Sequence, residues 1–558
     1  MRWQAHPIMK QITSIVVCLL AVVRLSYAED GSPNTNLTES EQQIVTAAKA
    51  GDKPEFNGAK VIGVHPGMPL IHGLAVSGER PIIFSASSLP KGLHLDPETG
   101  IISGSLAKAG TYRFTATAKN AAGKAQADFK IVCGESLALT PPLGWNSYDT
   151  FGDSVTEAEV MANATWMKEH LQPVGWDTIV VDFRWYDPLP TGDDRLLNPT
   201  RTGAALAADS FGRLQPAPDR FPSSTNGPGF KPLADELHAM GLKFGIHVMR
   251  GIPRQAVLTN SPIEGSTFTA ADAGDTSDKC PWCPDMFGVR DNAAGQAWYD
   301  SCARLWAEWG VDYIKVDDLS EPYHAAEIEM IRHALDKYAR GIVFSTSPGP
   351  TSTSHGGHIA ANANLWRISG DFWDRWAKLN AQFDLLAQWQ GAGGPGHWPD
   401  ADMIPIGKIA IRSKLGGNPH WTHFTRQEQL MLMTLWALAP SPMMLGMNLP
   451  DNDDWTTALL ANPEVLAVNQ DAPGNTAKRI FRPGQTAEVW VRQLSGGAMA
   501  VGLFNRTDKA VTVEYDWHQE GYAAIPQIRD LWRRQDLPRT KVFSAELPPH
   551  GSLLLRVK

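Results

Sequence analysis

The chain is 558 residues long and carries 50 Lys and Arg against 59 Asp and Glu, a net charge of −9. That length exceeds one small core and predicts two or three domains. The mixed, mildly acidic charge has no basic tract, which excludes nucleic acid as an expected partner. Tryptophan is unusually frequent, at 20 residues; beside many Asp this suits carbohydrate, because the apolar face of a sugar stacks on an aromatic ring.

The first segment reads as a signal peptide over residues 1–28. Arg2 and Lys10 supply the positive end, Ile12 to Val23 an apolar run, and Ser26-Tyr27-Ala28 a small-x-small cleavage site. The run is too short to span a bilayer comfortably, and no later stretch is long and apolar enough to do so. The mature chain is therefore expected to be exported, periplasmic or secreted, with cleavage after Ala28 and no membrane span. Cys18 would leave with the signal, and Cys133, Cys280, Cys283 and Cys302 remain. An oxidising compartment makes Cys280 and Cys283 candidates for a short disulfide. A zinc role for that pair is disfavoured, since no second ligand pair follows at zinc spacing.

Residues 29–53 are polar and read as a leader or short helix outside any core. Over 54–134 the apolar period changes to two. Pro81-Ile-Ile-Phe-Ser-Ala86, Gly100-Ile-Ile-Ser-Gly104 and Gly110-Thr-Tyr-Arg-Phe-Thr-Ala-Thr-Ala118 are predicted strands, separated by turns such as Asp96-Pro-Glu-Thr-Gly100. A small antiparallel sandwich is expected. The stretch from Leu89 to Gly104 resembles the immunoglobulin-like repeat of many exported bacterial proteins, which implies a spacer or binding module.

From 137 to 472 helical segments stop at Gly and short apolar strands follow: Gly175-Trp-Asp-Thr-Ile-Val-Val-Asp182, Gly241-Leu-Lys-Phe-Gly-Ile-His247, Gly310-Val-Asp-Tyr-Ile-Lys-Val-Asp317 and Gly341-Ile-Val-Phe-Ser345. Ser154-x-x-Glu157 reads as a capping box for the first of these helices. Buried strands alternating with helices mean a parallel sheet. Over this length they favour a (β/α)8 barrel, and the absence of Gly-x-Gly-x-x-Gly counts against a dinucleotide fold. Period-two strands return over 475–558 as a C-terminal antiparallel β-sandwich.

In a barrel, polar residues at strand ends converge on one mouth. Here they are Asp182, His247, Lys315, Asp317, Arg367, Asp371 and Asp402. Two carboxylates held across a sugar are the machinery of glycoside hydrolysis. A divalent-metal site is the competing use of clustered acids; Lys315 and Arg367 would repel a cation. A phosphate site would need a Gly-rich loop. No metal or organic cofactor is implied, and the expected partner is an oligosaccharide or polysaccharide substrate.

Four blocks in order, Thr140-Pro-Pro-Leu-Gly-Trp-Asn-Ser-Tyr148, Tyr313-Ile-Lys-Val-Asp317, Trp366-Arg-Ile-Ser-Gly-Asp371 and Trp398-Pro-Asp-Ala-Asp-Met403, resemble the signature blocks of glycoside hydrolase family 27, the α-galactosidases (melibiases) and their relatives. Ala439-Pro-Ser-Pro-Met-Met-Leu-Gly446 and Glu464-Val-Leu-Ala-Val-Asn-Gln-Asp471 match further. The resemblance implies a retaining glycosidase acting on terminal α-D-galactosyl or closely related residues. Asp317 takes the place of the nucleophile and Asp371 that of the acid/base. Asp182, Lys315, Arg367 and Asp402 take positions that hold sugar hydroxyls, and Tyr148 supplies a ring.

Three departures bear on the sugar. Phe183 stands where the family has the second of two paired acids. His247 stands where a Tyr ring is expected. Ser347 stands where many α-galactosidases carry Glu and the N-acetylgalactosaminidases carry Ser. The rival readings are the same machinery acting on α-N-acetylgalactosaminides or β-L-arabinopyranosides, and a carbohydrate-binding protein on a degenerate barrel. The intact pair Asp317 and Asp371 argues against the last, since binding alone needs no acid/base.

Overall fold

Each barrel strand is a short apolar run buried on both faces, the pattern of a parallel sheet covered by helices. The computed structural model describes residues 36–190, 206–338, 340–480, 486–521 and 525–558. The signal segment lies outside the described residues. The barrel strands are β1 Leu143–Asn146, β2 Thr178–Val181, β3 Lys243–Met249, β4 Tyr313–Asp317, β5 Val343–Thr346, β6 Leu365–Arg367, β7 Trp398–Asp400 and β8 Met443–Leu445. They pair in parallel in the order β7-β6-β5-β4-β3-β2-β1-β8. A bridge closes the ring where β7 runs on: Ile404 N–H donates to Met444 O at 2.8 Å, and Gly446 N–H donates to Ile404 O at 3.1 Å. Register places His247 beside Lys315 and Met249 beside Asp317, so the polar residues of adjacent strands share one end.

The helix leading into β4 shows how sequence sets this geometry. Ala293–Trp309 starts at Asn292, whose side chain accepts the Gly295 N–H at 2.8 Å. Trp298, Cys302, Leu305, Trp306 and Trp309 form its buried face. It ends at Gly310, φ 83°, in the left-handed region. A Cβ there would come 3.2 Å from the His238 ring, so Gly310→Val would combine backbone strain with a clash just before the strand that carries Asp317.

The helix following β1 begins two residues later than the capping box expected at Ser154. Thr156 and Glu159 form the box, and the helix runs Glu157–His170. The Ser154 hydroxyl instead donates to Phe151 O at 2.6 Å, and Glu157 accepts the Ser223 N–H at 3.0 Å.

Strands Val61–Val64, Gly123–Cys133, Gly110–Asn120 and Ile83–Ser87 make one sheet of the N-terminal module. Pro69–Gly73, Ile101–Ser105 and Leu93–Leu95 make the other. Phe84, Ile102, Phe114, Phe129 and Ile131 fill the space between them. One pairing is parallel, Val61–Val64 on Gly123–Cys133. The polar segment before this module contributes to a core after all. Helix Glu39–Ala48 buries Ile44 and Val45 against the barrel's cluster and pairs Glu41 with Arg426 at 2.8 Å. Its apolar face is two residues wide, too little to outweigh the polar composition that the sequence presents. The C-terminal domain is antiparallel, with a six-stranded sheet and the pair Val511–Asp516 with Val542–Leu547 around Val489, Val501, Tyr515 and Trp517. Cys133, Cys280, Cys283 and Cys302 are buried free thiols. No helix among the described residues is long and apolar enough to cross a membrane.

Candidate active site

The pair Asp317-Asp318 closing β4 divides its labour. Asp318 has φ 65° and is buried. Its carboxylate turns away from the mouth to Arg250 at 2.9 Å, and Arg250 also pairs with Asp278 and Glu327, both at 2.6 Å. Asp317 is the partly exposed one. Its Oδ1 accepts the Asp318 N–H at 2.8 Å and its Oδ2 lies 3.0 Å from His247 Nε2. Each oxygen is thus fixed by one donor and keeps a free lone pair.

Around Asp317 opens a cavity of about 580 Å³, the volume of a sugar site. Tyr148, Asp182, Lys315, Ser347, Arg367, Asp371 and Asp402 line it together with Asp317. His247 does not: it is fully buried behind Asp317. The residue expected at the substrate thus sets its Nε2 3.0 Å from Asp317 Oδ2. Trp366 is wholly buried in the barrel cluster.

Charge is arranged in two pairs. On one wall Lys315 Nζ donates to Asp182 Oδ2 at 3.0 Å, and Asn146 Nδ2 donates to the same oxygen at 2.6 Å. Burial pushes the Asp182 carboxyl up. Lys315, His247, Asn146 and the Phe183 N–H together outweigh that and hold it at about 2. Burial would likewise lower the Lys315 ammonium, but Asp182, Asp317 and Asp402 hold it above the ordinary lysine range. On the other wall Arg367 reaches Asp402 at 2.6 Å and Asp371 at 3.3 Å. Asp402 Oδ2 also accepts the Phe372 N–H at 2.8 Å, so Asp402 holds the peptide next to Asp371. Burial pushes the Asp402 carboxyl up to about 6; Arg367 opposes this, while Asp371 and Asp400 add to it. The Asp371 side chain is 51% exposed, against 14% for Asp317. One carboxylate therefore lies at the floor and one at the open rim, the placement an attacking group and a proton donor to a leaving group require.

Phe183 follows Asp182 onto the wall and accepts nothing. It packs on His247, Trp282 and Tyr148, with ring centroids 5.4, 5.7 and 6.5 Å away. Neither Arg184 nor His247 replaces the missing acceptor. Arg184 is a donor bound to Asp285 at 2.8 Å and Asp187 at 2.9 Å, and His247 is committed to Asp317. Lys315 Nζ stands 5.5 Å from the Tyr148 ring centroid, which ties that ring to the charged wall.

Sequence reasoning missed three wall residues. Asp149 lines the cavity and is buried; burial, with Asp402 nearby, pushes its carboxyl well above the usual range. It follows Tyr148 directly, and strand-end spacing alone gave it no signal. Trp282 is 39% exposed and stands on the Cys280–Cys283 loop beside Phe183. Trp373 faces Tyr148 at 6.5 Å. An exposed Trp after a barrel strand is a signal that could have found Trp282.

Comparison with known proteins finds similarity to glycoside hydrolases along most of the chain. The family profile described as Alpha galactosidase A matches residues 292–471, that of the alpha galactosidase C-terminal beta sandwich domain matches 484–557, and an Ig domain profile matches 75–134. An alpha-galactosidase of Coffea arabica is 30% identical over 76% of this chain and 95% of its own. The crystal structure of a β-L-arabinopyranosidase of glycoside hydrolase family 27 from Geobacillus stearothermophilus is 46% identical, covers 75% of this chain and 97% of its own, and has a TM-score of 0.72. A candidate α-N-acetylgalactosaminidase from Bacillus halodurans C-125 is 43% identical over 76% and 98%, with a TM-score of 0.68.

Proposed function

The chain belongs to glycoside hydrolase family 27 and is a glycoside hydrolase of the α-galactosidase type, and on that premise we propose an exported, retaining enzyme that removes a terminal sugar of galacto configuration. In the first step an Asp317 oxygen attacks the anomeric carbon while Asp371 gives its proton to the departing glycosidic oxygen. In the second, Asp371 takes a proton from water, and the water oxygen displaces Asp317. His247 and the Asp318 N–H fix the attacking oxygens. The Lys315–Asp182 and Arg367–Asp402 pairs orient ring hydroxyls from opposite walls.

The sugar this pocket suits best is β-L-arabinopyranose, which is D-galactopyranose without its hydroxymethyl group. The observation that carries this is Phe183, an apolar wall beside Asp182 whose neighbours Arg184 and His247 supply no substitute acceptor. A hydroxyl that must be buried against it loses its water and gains no bond. The Geobacillus stearothermophilus relative, at 46% identity, is named for that sugar. α-D-Galactosides are the second reading, favoured by the names of the plant relatives. The test is a panel of nitrophenyl glycosides. β-L-Arabinopyranoside is expected to give the highest kcat/KM, with α-D-galactoside lower; a higher value on α-D-galactoside or α-N-acetylgalactosaminide would overturn the sugar assignment.

A further inference from the structure

One cluster outside the sugar cavity has the composition of a metal site. Asp374, buried to 4% exposure, directs Oδ2 at two imidazoles. His420 Nε2 and His423 Nδ1 each lie 2.9 Å from that oxygen. The two rings stack with centroids 4.2 Å apart, and one donor atom from each of the three side chains falls within 4.8 Å of the other two. Ligands of a tetrahedral zinc ion stand about 3.3 Å apart when their bonds are ~2.0–2.1 Å, so small side-chain rotations would seat an ion here.

The hydrogen bonding supplies a second argument. His420 Nδ1 lies 2.6 Å from the Asn418 carbonyl oxygen. A carbonyl only accepts, so Nδ1 carries the proton. In the neutral ring Nε2 then turns a lone pair toward the carboxylate of Asp374. Two acceptors face each other unless a cation, a metal or a second proton, stands between them. A histidine whose far nitrogen donates to a backbone carbonyl is how metal-ligating imidazoles are held. The Asp374 oxygen is further oriented by the His423 N–H at 2.7 Å. The comparable trio Asp278, His324 and Glu327 lacks this arrangement, because the Arg250 guanidinium already pairs with both of its acids.

We propose that Asp374, His420 and His423 bind a zinc ion that fastens the loop of the acid/base residue to the neighbouring hairpin that carries Leu415 on the cavity wall. Two imidazoles and one carboxylate are a zinc donor set, and half-exposed His423 leaves a fourth position for water. Asp374 lies three residues past Asp371 and directly follows Trp373, which lines the sugar cavity. His420 lies in the segment paired with Lys408–Ile409. The turn between those strands carries Leu415 on the cavity wall and Gly416 so close to the Trp373 ring that a Cβ would come within 2.6 Å. None of the three ligands lines the sugar cavity, so the ion has a positioning role and takes no part in bond cleavage. This site rests on its own geometry and stands whichever sugar is cleaved.

The experiment is a calorimetric titration of untagged, chelator-stripped full-length protein with zinc, with thermal unfolding followed in parallel. Wild type is expected to bind one zinc per chain at micromolar concentration or tighter and to gain several degrees in Tm at saturation. His423→Ala, at a half-exposed position, is expected to keep the metal-free Tm while losing affinity by ~10-fold or more. His420→Ala with His423→Ala together should abolish binding and the Tm gain. Absence of zinc binding by wild type, or wild-type affinity in folded His423→Ala, would overturn the proposal.

Discussion

Replacing Phe183 with Asp puts a carboxylate back where the pocket now has an apolar wall. A hydrogen bond from the galactoside hydroxymethyl group to a charged acceptor is worth ~1.5–3 kcal/mol. Repulsion from Asp182 and Asp317, roughly 2–3 kcal/mol for each pair of charges ~5–10 Å apart at an effective dielectric of ~20 and partly screened by Lys315, acts with either sugar bound and drops out of the ratio of the two. A gain of ~1.4 kcal/mol from the hydrogen bond corresponds to a rise of ~10-fold in the ratio of kcat/KM for α-D-galactoside over β-L-arabinopyranoside. The cost appears elsewhere. Phe183 is 1% exposed and packs on three rings, so its loss should destabilise the barrel by ~3 kcal/mol and lower Tm by roughly 4 °C. The assay is the two kcat/KM values for both proteins with nitrophenyl substrates, well below the variant's Tm. An unchanged ratio in a folded variant would refute the idea that Phe183 sets the sugar.

Asp371→Asn should cost far more on unactivated oligosaccharides than on dinitrophenyl glycosides, because only a poor leaving group needs a proton in the first step; an equal loss on both would remove Asp371 as the acid. Burial sets the Asp402 carboxyl at about 6, so it gains a proton as pH falls through that value and Arg367 loses its charged partner. kcat/KM should then fall on the acid side with a midpoint near 6, and Asp402→Asn should be slower but flat from pH 5 to 7; an unchanged acid limb in that variant would assign it to another group. Intact-mass measurement of exported protein should show a chain starting at Glu29, and retention of residues 1–28 would contradict export by cleavage.

How far the sequence reached can be stated residue by residue. The strand β4 was legible because three signals coincide there: a helix face of Trp and Leu, a stopping Gly310, and an apolar run ending in acids. Its second acid was not. Asp318 has the same sequence surroundings as Asp317, and only the distant Arg250, brought back by β3, shows that it is structural. His247 is a parallel case. Being at a strand end put it near the mouth, but its ring fills the space behind Asp317, a matter of side-chain direction that spacing does not encode. Phe183 was readable as a missing acceptor. That Arg184 does not replace it depended on where that residue turns, with φ 53° and its guanidinium held by Asp285 and Asp187. Asp149 and Trp373 remained hidden because each adjoins a motif residue and faces the cavity through local backbone shape.

The central claim is that Asp317 and Asp371 work as nucleophile and acid/base in a double displacement. Proton NMR of the sugar released in the first minutes of hydrolysis, before mutarotation, tests it most directly. The account predicts that the first-formed anomer has the configuration of the substrate; a first-formed anomer of the opposite configuration would contradict it.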